Sequence, residues 1–135
     1  QSAFSLIELL VVVAIIGILS SVGVISYSGY VSSTKMKSAE NIMQQIALAQ
    51  TEYYSDMGTY FTQGNNCAAN KTTTDGIIAA LLVPISDELD YHFCTETFNT
   101  TDYQIKTLAT NNSSKKGCEI TVNNVTNKAA RNSSC

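Results

Sequence analysis

Between Glu8 and Lys35 the chain carries no Asp, Glu, Lys or Arg, and residues 4–24, FSLIELLVVVAIIGILSSVGV, are apolar almost throughout. About 20 apolar residues, each rising about 1.5 Å along a helix, suffice to cross a bilayer. The one ionised side chain in the run is Glu8, near its start. A carboxylate in hydrocarbon costs a few kcal/mol and marks a buried partner or a pathway; the plainer alternative is a signal anchor with Glu8 at the headgroup level, where the charge costs little. A cleaved secretory signal fits less well, because its apolar core runs to only about 7–15 residues.

The helical pattern outlasts the apolar run. Met36, Ala39, Met43, Ile46, Gln50 and Tyr53 recur at steps of three and four, which makes one amphipathic face. Strong helix formers dominate residues 35–50, and no proline occurs before Pro84. The spacing predicts a single helix from about Phe4 to Met57, ended by Gly58 at the C′ position. Such a helix is roughly 80 Å long, more than the rest of the chain can cover, so lipid or other copies must bury its first half. Gly17, Ser20, Ser21 and Gly23 loosen it locally and permit close backbone approach, although small residues are also tolerated in a helix that merely faces lipid. The expected division is a hydrophobic helix half at 1–30 for membrane or filament core, an amphipathic half at 31–57, and a globular head at 58–135.

Residues 58–90 read as a loop, rich in the turn formers of GNNCAANKTTTDG, with one ordered piece at residues 77–83, IIAALLV, expected as a short helical turn on the long helix. From Tyr91 the period changes to two. Residues 91–98, 103–109 and 118–122 are β-prone, and in the last Cys118, Ile120 and Val122 share one face. The fold class is therefore α+β: a long N-terminal helix packed on a small antiparallel sheet. Cys67, Cys94, Cys118 and Cys135 form an even set confined to the second half, which points to two disulfides in an oxidising compartment and allows three connectivities.

Charged residues are only 14% of the chain and the net charge is -3, so no broad basic field exists for nucleic acid. His92 is the only imidazole. In a strand it shares a side with Cys94, but Cys94 is expected to be oxidised and no further ligand stands at a metal-binding spacing. Neither a metal nor another cofactor is expected, and no nucleophile, base and orienter assemble in sequence, so the chain does not read as an enzyme. Six Asn-x-Ser/Thr triplets, at Asn70, Asn99, Asn111, Asn112, Asn124 and Asn132, matter only in a host that glycosylates asparagine. Lys35, Lys37, Glu40, Glu52 and Asp56 read as a solvated helix face, some of which would pair between subunits in an assembly.

FSLIELLVVVAIIGIL resembles the N-terminus of type IV pilins and type II secretion pseudopilins, in which a Phe is followed four residues later by a Glu; Phe4 and Glu8 match. Residues 51–60, TEYYSDMGTY, resemble the end of the long pilin helix, and GCEITV with NKAARNSSC is similar to the disulfide-closed C-terminal region of type IVa pilins. The resemblance implies an inner-membrane precursor of a Gram-negative bacterium, cut by a prepilin peptidase, N-methylated and packed helix on helix by the pilus assembly machinery into a homopolymer. Glu8 would neutralise the N-terminal amine of a neighbouring subunit. The implied disulfides are Cys118 with Cys135 and Cys67 with Cys94. Two departures stand out. The family usually has proline where this chain has Ile25, which leaves a helix melted between Gly17 and Ile25 and an unbroken one both open. Family spacing makes Phe4 the processed and methylated residue, with Ala3 in place of the usual Gly, whereas the sequence starts at Gln1; cleavage before either residue is compatible with the pattern.

The function implied is a major pilin, whose filament serves adhesion, motility, DNA uptake or aggregation. The alternatives are a minor pilin or a type II secretion pseudopilin, and, from another class, a membrane-anchored periplasmic binding module that never polymerises.

Overall fold

The structure is a computed structural model that describes residues 3–99 and 101–135. Gln1, the second candidate for the processed terminus, lies outside the described residues. The long helix α1 spans Leu6–Met57 without interruption. With no proline at Ile25, nothing removes a backbone donor between Gly17 and Ile25, and the Ser21 hydroxyl satisfies itself by donating to the Ile18 carbonyl at 2.7 Å. Gly58 ends the helix as expected: at φ +73° it takes the left-handed conformation that a Cβ would disfavour, and its N–H donates to the Tyr54 carbonyl.

Two compact units divide the chain at residues 34 and 35. In the first, the described residues from Leu6 on are all helix. In the second, the five buried residues of α1 are Met36, Ala39, Met43, Ile46 and Gln50, all on the stripe read from the sequence. They cover a four-stranded antiparallel sheet in the order β1 (Tyr91–Thr97), β2 (Tyr103–Ala109), β3 (Glu119–Asn123) and β4 (Ala130–Arg131). The register sets Phe93 opposite Thr107 and Thr107 opposite Ile120, so alternate residues of each strand reach the same core. Phe93, Ile46, Ile105 and Ile120 are fully buried there, and each such side chain contributes about 1.5–3 kcal/mol by leaving water. Gln50, the one polar member of the stripe, is satisfied: its Nε2 donates to the Phe61 carbonyl at 2.6 Å and its Oε1 accepts from the Phe61 N–H at 2.9 Å.

Helix α2 spans Lys71–Leu81 and corrects the loop reading of the sequence before Ile77. Its start is fixed by a reciprocal cap. The Asn70 side chain accepts from the Thr73 N–H, while the Thr73 hydroxyl accepts from the Asn70 N–H, so Thr73 does the work usually given to Glu or Gln. Ile77 and Leu81, one turn apart, enter the core. Helix α2 ends at Leu82 in the left-handed conformation, before Pro84 is reached.

The free edge of β1 is closed by α2 and the segment before it. The Thr74 hydroxyl accepts from the Phe93 N–H, the Thr73 hydroxyl donates to the Phe93 carbonyl, Gln63 pairs with both backbone groups of Thr95, and the Gly64 carbonyl accepts from the Thr97 N–H. An open edge would invite another strand, so this cover limits unwanted pairing. Disulfides join Cys67 to Cys94 and Cys118 to Cys135, the pairing implied by the family resemblance. The first is backed by Glu96, whose carboxylate accepts from the Cys67 N–H at 3.1 Å and pairs with Lys106 at 2.7 Å.

Candidate functional site

At the start of α1, Ser5 precedes the first helical residue and Glu8 lies in the first turn. The Ser5 N–H donates to Glu8 Oε2 at 2.8 Å, one arm of a Ser-x-x-Glu capping box. The acid also lies at the positive end of the helix, where a negative charge is stabilising. Glu8 therefore has a local function within its own chain: it satisfies a backbone donor that the helix cannot. Around it the surface is apolar. Phe4 is 89% exposed, and the most apolar 18-residue window of α1, with mean hydropathy 2.7, has no residue buried. Such a surface is incompatible with water and calls for a bilayer or other helices.

The residues singled out for chemistry do not converge. His92 is half-buried on β1, its own carbonyl accepting from the Thr107 hydroxyl. Of its sequence neighbours, Asp90 pairs with Lys35 and Cys94 is in a disulfide. Among the described residues no three His, Cys, Asp or Glu side chains gather as ligands for a metal ion. The helix charges are not simply solvated: Glu40 pairs with both Lys37 and Arg131 across 91 residues of sequence. Burial pushes the Glu40 carboxyl up, but the hydrogen bonds and charges of Arg131 and Lys37 outweigh it and hold the pKa below the ordinary value of 4.5.

One feature that sequence reasoning missed lies at the C-terminal end of α1. Tyr54, Tyr60 and Tyr103 form a ladder with ring centroids 4.6 and 4.7 Å apart, beside an open cleft of about 400 Å³. Burial, and then the neighbouring Tyr60, raise the Tyr103 pKa to about 12. The tyrosines of TEYYSDMGTY carried the signal, but their convergence with Tyr103 needs the fold.

Comparison with known proteins agrees with this arrangement. The family model described as "Type IV minor pilin ComP, DNA uptake sequence receptor" matches residues 26–122, and the "Prokaryotic N-terminal methylation motif" matches residues 1–24. The chain belongs to that family and is a type IV pilin. The pilin is 40% identical over 74 residues to the fimbrial protein EcpC of Eikenella corrodens, an alignment covering 55% of this chain and 47% of the relative. It is 36% identical over 77 residues to a fimbrial protein of Neisseria meningitidis serogroup B, covering 57% and 44%. A 37% identical stretch of 60 residues, 44% of this chain and 36% of the relative, is shared with a type IV major pilin PilE1 of Neisseria gonorrhoeae. The pilin thus spans less than half the length of these relatives. No solved structure matches it. The methylation motif coincides with the apolar start of α1, and the family model takes in the rest of α1, α2 and the first three strands.

Proposed function

We propose that the pilin is a structural subunit that leaves the inner membrane of a Gram-negative bacterium and polymerises through residues 1–30 into a type IV pilus, with residues 31–57 as the amphipathic helix half that carries the displayed head, residues 58–135. The observation that carries this reading is the wholly exposed apolar surface of α1 around Glu8. In the filament core that surface exchanges lipid for copies of itself, and a self-packing helix gives the head-to-tail, non-closing contact that a filament needs. Glu8 would pair there with the amine of a neighbouring chain, giving a carboxylate removed from water its counter-charge. The subunit has no enzymatic activity in this reading; the assembly machinery supplies the work. Glu8→Ala is expected to abolish piliation while leaving membrane insertion intact. Normal piliation in that variant would remove the role given to Glu8.

Major and minor subunits differ in copy number. The PilE relatives support a major pilin, the first reading. A minor pilin is favoured by the family match, because it runs from residue 26 of the helix through most of the head, to residue 122. In that second reading the head takes on the DNA reception that names the family, through local cations such as Lys115 and Lys116 rather than through net charge. Quantitative mass spectrometry of purified filaments separates the two, since a major pilin dominates the protein recovered and a minor one is a trace component.

A further inference from the structure

The cleft at the end of α1 combines three features that recognise one chemical class. Tyr54 stands at the outer end of the ladder, 47% exposed, with its ring packed on Tyr60 at 33°. Asp102 also lines the cleft, its carboxylate fixed by the amide groups of Asn99 at 3.2 Å and Asn124 at 3.0 Å, neutral donors that orient the charge without cancelling it. Gly58, on the near wall, is the C′ residue of α1, so the negative end of the helix opens toward the cleft. No Lys, Arg or His in the last turn of α1 offsets that end, and among the described residues no cation lines the cleft. Hydroxyls of Thr62 and Thr97, hydrogen-bonded to each other, complete the floor.

Aromatic faces attract cations through the ring quadrupole, and a carboxylate with a helix C-terminus adds a field of the same sign. A bare metal ion would want several oxygen ligands, which one carboxylate does not supply, and a nucleic-acid phosphate would be repelled. An organic cation satisfies both the Tyr54 ring and the charge. We propose that the cleft bordered by Tyr54, Tyr60 and Asp102 is a binding site for a small alkylammonium ligand. It lies at the junction of the amphipathic helix half and the head and does not depend on which subunit class the pilin occupies.

The test is a titration of the full-length, isotopically labelled pilin in a nonionic, amine-free detergent, followed by amide chemical shifts at Tyr54, Tyr60 and Asp102. The probes are choline and its neutral isostere 3,3-dimethylbutan-1-ol. Choline is expected to shift these amides saturably with Kd of about 1–10 mM, and the isostere to bind at least about tenfold more weakly. Tyr54→Leu, which keeps the helix but removes the ring face, is expected to weaken choline at least about fivefold, and Asp102→Asn about threefold, with Ile120 and Val122 amides unmoved as the check of folding. Equal response to the isostere, saturable binding of glucose in place of choline, unchanged affinity in Tyr54→Leu, or no response up to about 50 mM would each overturn the proposal.

Discussion

At the scale of single residues, Gln50 shows how far the sequence could be read. Its place on the amphipathic face was legible from the spacing, but its partner was not. The structure makes it the tie between α1 and the chain that follows Gly58, through two hydrogen bonds to the Phe61 backbone. Gln50→Leu keeps the volume and strands a backbone donor and acceptor; a loss of about 2–4 kcal/mol is expected in thermal unfolding of the pilin in detergent. Glu40 is the residue-scale case for pH. Its folded pKa lies below the ordinary value, so its contribution is complete above about pH 5 and is lost as pH falls through the folded value. Because Arg131 is more than a third exposed, the pair is worth no more than about 1 kcal/mol. Arg131→Gln is expected to flatten this acid limb in urea unfolding between pH 7 and pH 3; an unchanged pH profile would show that the pair contributes nothing. No spacing rule could have paired residues so far apart in sequence.

At the scale of elements, the second half of α1 and strands β2 and β3 follow from period and composition, because one face of each is buried and the pattern of apolar residues records it; in β1 the opposite face is covered too, at Cys94 and Glu96. Helix α2 was half legible. Ile77 and Leu81 gave the apolar end, but the polar turn before them was hidden, since Thr73 rather than Glu or Gln closes the capping box. β4 has two exposed residues and no periodicity to read; it exists because Ile120 and Thr121 present a backbone edge to Ala130 and Arg131. The cover of β1 gives a direct check. Thr74→Val is isosteric and leaves the Phe93 N–H without its acceptor, so a cost of about 1–3 kcal/mol is expected, with faster amide exchange at Phe93 than at Ile120. The Cys118–Cys135 disulfide closes a sequence separation of 17 residues around β3 and β4. Replacing both cysteines by Ser is expected to cost about 3 kcal/mol in the same unfolding measurement and to leave the Cys67–Cys94 bridge intact by non-reducing peptide mapping.

For the whole molecule, the informative quantity was length. A helix that runs 52 residues while only its second half meets a core has a surplus half, and the surplus is apolar, exposed and marked by one acid. That much was readable from the charge-free run alone. The ring ladder at the end of α1 was not, because it joins residues from α1, the following loop and β2. The filament reading is tested most directly by isolating surface filaments from cells that express the pilin and identifying their subunits by mass spectrometry, with the N-terminus sequenced in the same digest. The expected result is this chain within the filaments, carrying a processed, methylated N-terminal residue and missing from the filament fraction when Glu8 is replaced by Ala. A chain found only as a monomer in detergent-extracted membrane, with no filament containing it, would contradict the reading.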